Sequence, residues 1–529
     1  MAHLVNRTQS ESAAPPAAVP RTELPNIQTG DGPVSDTPQS SPGQQTLSPS
    51  NSVVFDDTVI PASHDYRTLV LCFDGTGDQF DADNSNIVEF FSMLKKDDRS
   101  QQMVYYQAGI GTYTIPQIAT PFVASFDKTL DEAFGVHLDA HVMGGYEFLM
   151  ENYQAEDKIC IFGFSRGAYT ARALAGMIHK VGLLPASNHQ QVPFAYKMFS
   201  TDDEVGWAQS TAFKKAFSID VEIEFVGVWD TVASVGLFPR HLPFTASNTA
   251  IRYFRHALSL DERRAKFKAN YFRPSPPHIC DLGTKPGEMP QSNQKRHPHS
   301  HHQDHHHTGK VSKRHLERDY ENGEKKSDAL EVWFAGCHCD VGGGSVKNGT
   351  RNSLARIPLR WMIRQCFLAN TGIMFHRDAF KNIGMDPSSL YPIVLPRPPP
   401  IFATPRVIRE ATDATLVGSS QAEASAKPLV SEEEEDLADA LSPIYDMLKI
   451  AKAWWIVEVL PLRQRVKQKK NLSWTHKTTM NLGKPRIIPN KSNNVYVHRS
   501  VKIRMDARGL NNKEYTPKAK FPVDPTWVD

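Results

Sequence analysis

No run of apolar residues in this 529-residue chain is long enough to cross a bilayer, which excludes a membrane-spanning helix from the sequence reading. The first residues, Met1 to Ser10, are polar and lack the apolar centre of a secretory signal. A cytoplasmic protein is expected on these grounds, with peripheral membrane contact left open. An excess of one charge is missing too: 60 lysines and arginines face 58 acidic residues. A chain so balanced has no overall field for wrapping nucleic acid, and no nucleic-acid partner is expected. Cysteine is sparse. The six, Cys72, Cys160, Cys280, Cys337, Cys339 and Cys366, are dispersed, several in or beside apolar runs, so they read as reduced core thiols and not as a disulfide framework. Cys337 and Cys339 flank His338, yet a lone Cys-His-Cys triplet lacks the paired spacing of tetrahedral zinc, and no metal is assigned.

Large apolar side chains are themselves scarce in three stretches. Residues 1–60 are rich in Ser, Pro, Thr and Gln and cannot bury enough surface to offset ordering entropy, so they read as a disordered tail. Residues 281–327 read as a disordered insertion. They contain the histidine tract 297–307, whose capacity to hold metal the sequence leaves open, since nothing around it supplies a packed second shell. Residues 409–438, with the acidic run Glu432 to Asp436, read as a disordered, extended acidic linker. Between these lie a body over 61–408 and a C-terminal helical and irregular segment, 439–529, expected to pack on it.

Within the body, short β-rich apolar runs alternate with helical patterns. Thr68 to Phe73, Lys158 to Phe162, Val221 to Trp229 and Leu330 to Phe334 read as strands, and Ala168 to Val181 as a helix closed by Gly182. That alternation predicts an α/β fold of the α/β-hydrolase kind, a mostly parallel sheet with helices on both faces.

The strand ending at Phe162 is followed at once by Gly163-Phe164-Ser165-Arg166-Gly167 and then by the helix. A nucleophile elbow requires this order, because the serine sits on a tight strand-to-helix turn with no room for a Cβ two residues to either side. By composition alone such a pentapeptide turns up by chance in roughly one of six chains this long. The flanking strand and helix therefore matter more than the string. Further along, the run to Trp229 ends on Asp230, and the run to Phe334 leads to His338 and then Gly342, Gly343 and Gly344. Ser, Asp and His in this chain order, each after a strand, predict Ser165 as nucleophile, Asp230 as the acid and His338 as the base of an acyl-transfer triad. The N–H of Arg166 is expected to face the oxyanion, with a second donor from Gly75 or Thr76 after the first strand. Each residue also has a plainer reading: Ser165 as a helix N-cap, Asp230 as a turn cap, His338 as a satisfied core histidine, and Asp74-Gly75 as a tight turn closed by an Asx bond.

The segments Phe73-Asp74-Gly75-Thr76-Gly77, Tyr106-Gln107-Ala108-Gly109-Ile110-Gly111-Thr112, Gly163 to Tyr169, Gly227-Val228-Trp229-Asp230-Thr231 and His338 to Gly344 are similar to those of one family. Its best-studied members are type VI secretion phospholipase effectors, and the resemblance runs over about 67–278 and 329–375, with a fungal-type cast in the Trp454-Trp455 segment. It implies the same triad and a carboxylic ester substrate, lipid or phospholipid, with no cofactor. His256 to Arg264 also resembles a family segment, read as a helix near the site in which Arg263 could meet a carboxylate. Asp78 departs from the family's expected asparagine, and Ser345 stands where an aromatic is common. Two other readings stay open: a scaffold that has lost turnover and binds a partner, and a metal-dependent hydrolase using Asp74, Asp78 and the histidine tract.

One stretch points to a membrane. Trp454 and Trp455, followed by Arg463, Arg465, Lys467, Lys469 and Lys470, suit the headgroup layer, where indoles sit at the interface and cations meet anionic lipid. The alternative is that both tryptophans pack a helix onto the body.

Overall fold

Thr68–Phe73 (β1) is buried along its whole length, as a central strand of a parallel sheet must be when both faces are covered. Leu69, Leu71 and Phe73 join one side-chain cluster and Val70 and Cys72 the other, following the two-residue period of a strand. The structure, a computed structural model, describes residues 58–75, 78–109, 123–232, 242–273, 327–402, 407–408, 431–467, 474–489, 494–509 and 514–529. The tail to residue 57, the insertion with its histidine tract, and 409–430 of the expected linker lie outside the described residues.

Seven more strands complete one sheet: Gln102–Gln107 (β2), Lys158–Phe164 (β3), Ile223–Trp229 (β4), Ile251–Ser259 (β5), Asp328–Phe334 (β6), Tyr496–His498 (β7) and Thr526–Val528 (β8). Their order is β8-β7-β6-β5-β4-β3-β1-β2, and every pairing is parallel. From β1 the chain steps outward to β2, then returns to the other side of β1 for β3. That reversal leaves a crevice at the carboxyl ends of β1 and β3, where open α/β sheets bind ligands.

Helices cover both faces. Val123–Asn152 (α2, described by its side chains from Leu138 on), Ser165–Val181 (α3), Val192–Ser200 (α4) and Glu204–Phe217 (α5) lie on one, sharing a core with Leu69, Leu71, Ile159 and Ile161. On the other, Asn86–Met93 (α1), Arg356–Leu368 (α7), Glu432–Ala440 (α8) and Arg499–Asp506 (α10) pack with Val70, Cys72, Cys160 and Phe162. Two short helices, His338–Gly342 (α6) and Trp454–Val459 (α9), stand near the carboxyl ends of the strands. Ser85 starts α1 by accepting from the N–H groups of Ile87 and Val88, and Gly182 ends α3 in a left-handed conformation (φ +72°) that a Cβ would disfavour.

Three sequence expectations are corrected. Residues 431–438 are no extended linker: Ser431 caps α8 in a capping box, and the acidic run meets buried arginines. Arg360 pairs with Asp436 and Asp439 at 2.7 Å each, Arg356 with Glu435 at 2.9 Å and Asp439 at 3.0 Å, and Arg397 with Asp436 at 3.0 Å. Burial would raise the Asp436 pKa, but Arg360 and Arg397 hold it well below the usual carboxylate range. The run is acidic because it fills a cationic socket. Segment 439–529 does more than pack against the body, since it contributes β7 and β8 to the central sheet. Lastly, His256 to Ser259 is the end of strand β5 and not a helix. At the boundary of the tail, Val59 and Ile60 are buried and pair with Phe375 and His376.

Candidate active site

The turn from β3 into α3 is sharp. Phe164 is extended (φ −120°), and Ser165 sits at φ +58°, a left-handed conformation that costs a non-glycine residue about 1–3 kcal/mol. Such a turn brings backbones into contact. A Cβ on Gly163 would lie 2.6 Å from Gly167 O, and one on Gly167 would lie 2.2 Å from Asp74 O and 2.4 Å from Phe73 O. Glycine at both positions is therefore a steric requirement, and it lets the end of β1 press against the first turn of α3.

Asp230 follows β4 and is wholly buried, also at positive φ (+42°). His338 opens α6 just after β6 and is buried too. The three side chains lie in a line: His338 Nδ1 is 2.6 Å from Asp230 Oδ2, and His338 Nε2 is 2.8 Å from Ser165 Oγ. With Nδ1–H donating to the carboxylate, Nε2 is left as the acceptor facing the serine hydroxyl. Phe164 stacks on the imidazole at 4.8 Å and Phe267 meets it edge-on at 4.9 Å, so the ring is clamped between two aromatic walls. That arrangement can take a proton from Ser165 and return it to a leaving group.

Asp230 has more partners than the imidazole. Ser259, at the end of β5, donates its N–H to Oδ1 at 2.9 Å and its hydroxyl to Oδ2 at 3.3 Å. Arg486 grips both oxygens, Nη1 to Oδ1 at 2.5 Å and Nη2 to Oδ2 at 2.8 Å, and also donates to the Phe267 carbonyl. Behind Asp230, the Thr231 N–H donates to His256 Nε2 at 3.1 Å, and His256 Nδ1 is held by Glu331. Burial alone would raise the Asp230 pKa, but the Arg486 charge and the His338 hydrogen bond carry it far below the usual carboxylate range. Burial lowers the His338 pKa, opposed by Asp230, lowered further by Arg264 and raised by Glu262. Glu262 accepts from the His338 N–H and pairs with Arg264 at 2.8 Å. The net effect holds the imidazole below its ordinary pKa, which favours the neutral form.

At the end of the first strand, Asp74 gathers several donors. Gly75 N–H donates to Asp74 Oδ1 at 2.8 Å, a bond to the next residue and not the two-residue span of an Asx turn, so that donor is already engaged. Thr76 lies outside the described residues. Asp74 also accepts from Ser85 Oγ (2.6 Å) and Tyr106 OH (2.8 Å), which fastens the β1 end to α1 and β2. Asp78 turns back beside Gly75, and crowding by burial and by Asp74, Asp81 and Asp83 lifts its pKa well above the usual range, with Arg166 opposing. Arg166 is the second residue of α3, directly after Ser165, and is buried. Arg263 does meet a carboxylate, but that of Asp446 at 2.8 Å, away from the triad. Trp454 stands 5.6 Å from Phe267, in edge contact, while Trp455 is 38% exposed. Among the described residues no group of three or more His, Cys, Asp or Glu side chains is placed to hold a metal ion.

Arg486, Ser259 and Glu262 were not found from the sequence. Ser259 and Glu262 fall within a segment singled out there, yet an expected helix hid that β5 ends beside Asp230. No local signal marks Arg486, which lies 256 residues from its partner.

Residues 67–365 match the family described as type VI secretion system phospholipase effector Tle1-like, catalytic domain. An uncharacterized protein of Saccharomyces cerevisiae is 28% identical over 571 residues, covering 86% of this chain and 81% of its own length. Two solved structures are also similar. An uncharacterized protein from Pseudomonas aeruginosa is 17% identical with a TM-score of 0.29, covering 58% of this chain and 46% of its own. The Tle1 effector bound to the VgrG spike of the type 6 secretion system is 16% identical with a TM-score of 0.27, covering 54% and 52%. The chain thus spans about half the length of the solved structures it matches.

Proposed function

From the premise that the chain belongs to the Tle1-like phospholipase effector catalytic-domain family, we propose that it is a serine hydrolase of carboxylic esters whose substrate is a lipid or phospholipid. The observation that carries this reading is the hydrogen-bonded line from Asp230 through His338 to Ser165. Ser165 Oγ attacks the ester carbonyl while its proton passes to His338 Nε2, and the imidazolium is stabilised by Asp230. Collapse of the tetrahedral adduct expels the alcohol, which takes that proton, and leaves an acyl group on Ser165. Water, deprotonated by the same imidazole, then releases the acid. The Arg166 N–H, in the first turn of α3, is the donor for the oxyanion, aided by the positive end of the helix. No step calls for a metal or organic cofactor.

Labelling with a fluorophosphonate, which reacts with activated serines, tests the reading directly. Modification mapped to Ser165, absent in Ser165→Ala and in His338→Ala, is the expected result. A folded Ser165→Ala protein that hydrolyses a lipid ester at the unmutated rate refutes it.

A further inference from the structure

Residues 447–489 hold ten lysines and arginines and one acidic residue, Glu458. That carboxylate is fully buried, accepting from the Ala265 N–H at 2.5 Å, the Asn481 side chain at 2.5 Å and the Gly483 N–H at 2.8 Å. Every exposed charge among the described side chains of this stretch is therefore positive, carried by Lys449, Lys452, Lys477 and Lys484. The same stretch leaves Trp455, Ile456, Val459, Leu460, Met480 and Leu482 exposed to between 38% and 51%.

Contacts between 455–462 and 479–483 bring the two ends of this stretch together. Leu482 N–H donates to the Glu458 carbonyl at 3.1 Å, and Gly483 lies against the Trp455 ring, which a Cβ there would approach to 3.1 Å. The antiparallel pair Leu462–Lys467 and Trp474–Thr479 sets Leu462 opposite Thr479, bringing Met480 back beside the Leu460 end of α9. The surface of this stretch borders the candidate site by two routes. Trp454 touches Phe267, which touches His338, and Arg486, four residues after Leu482, grips Asp230.

We propose that this face docks the protein on an anionic lipid surface, with the mouth of the site against the membrane. Cations alone would suit any polyphosphate. Exposed Ile456, Val459 and Leu460 gain nothing from a nucleic acid, but they gain by entering the acyl boundary of a bilayer, while an indole suits headgroup depth. Apolar insertion and basic attraction together give the two signals that lasting but reversible membrane attachment requires. The proposal deepens the lipid-ester reading and rests on it for the orientation of the site, whereas the binding itself needs no turnover.

The test uses full-length Ser165→Ala protein, which binds without consuming lipid, sedimented with phosphatidylcholine vesicles with or without phosphatidylserine. Binding should be at least about tenfold tighter with phosphatidylserine and weaken as salt is raised. Two variant pairs, Ile456→Asp with Leu460→Asp and Lys477→Glu with Lys484→Glu, should each weaken it about tenfold or more, with unchanged thermal unfolding. Equal or negligible binding to both vesicle types overturns the proposal, as do unaltered binding by both folded variant pairs and displacement of the vesicles by equimolar RNA oligonucleotide. Failure of the hydrolase reading looks different: vesicle binding intact, but no fluorophosphonate label on Ser165 in the unmutated protein.

Discussion

Replacing Arg486 by methionine keeps much of the side-chain volume and removes the charge that grips Asp230. In the folded protein the two side chains are 1% and 0% exposed, so water cannot take the place of the guanidinium. Removing one partner of such a buried pair costs about 3–5 kcal/mol, because the remaining charge is left poorly compensated. Here Ser259 and His338 still donate to Asp230, which puts the expected loss at the lower end, about 3 kcal/mol. Denaturant unfolding reads it directly. Catalysis should suffer as well, since Arg486 also ties the Phe267 carbonyl whose ring walls His338; a misplacement of about 1 Å can cost about 10²-fold. The direction of the pH profile separates this role from simple loosening. Arg486 offsets part of the Asp230 charge, so without it the carboxylate acts on His338 more strongly and the imidazole holds its proton to higher pH. Because the base must be neutral, the acid limb of kcat/KM should move to higher pH in Arg486→Met and return in Arg486→Lys. An Arg486→Met protein with unmutated stability, rate and acid limb would refute the reasoning.

Gly167→Ala should abolish ester turnover and destabilise the fold by about 1–3 kcal/mol, since its Cβ would lie 2.2 Å from a backbone oxygen; chemical unfolding alongside a rate assay measures both. Asp439→Asn, in the buried cluster with Arg356 and Arg360, should cost about 3 kcal/mol while leaving kcat at neutral pH within a few-fold, because α8 lies on the face of the sheet away from α3. Stability should also fall in acid. Asp230 and Asp436 have depressed pKa values in the fold, so their contribution is complete above about pH 4, where the unfolded carboxyls are ionised, and is lost as pH falls toward the folded values; a melt series from pH 6 to about 2 should show the decline, shallower in Arg486→Met. EDTA should leave ester turnover unchanged, because the charge of the tetrahedral adduct is assigned to N–H donors; loss that added zinc or calcium restores would count against the mechanism.

Local chemistry made the elbow readable in the chain itself. The order of apolar strand, Gly163 to Gly167, and helix reflects sterics within a few residues, and the β1 span, Thr68–Phe73, appears in the structure with the bounds its composition suggests. The parallel α/β architecture was legible for the same reason, since buried strands between helices have a distinctive apolar pattern. The chain order of Ser165, Asp230 and His338 was visible too, each following a strand, although only the structure shows that they touch, Asp230 to His338 across 108 residues and Ser165 to His338 across 173. What the chain alone did not disclose was set by contacts between distant segments. Glu432 to Asp436 reads as a solvated run because composition cannot reveal the six arginines that meet it in the fold, Arg351, Arg356, Arg360, Arg364, Arg397 and Arg499. The Gly75 N–H looks available until Asp74 is seen to take it. Arg486 reads as one more cation in a basic stretch. Only the tertiary structure turns it toward Asp230, because burial and a bidentate fit depend on the packing of β4, β5 and the 481–489 segment around a shared carboxylate, and no spacing along the chain encodes that distance.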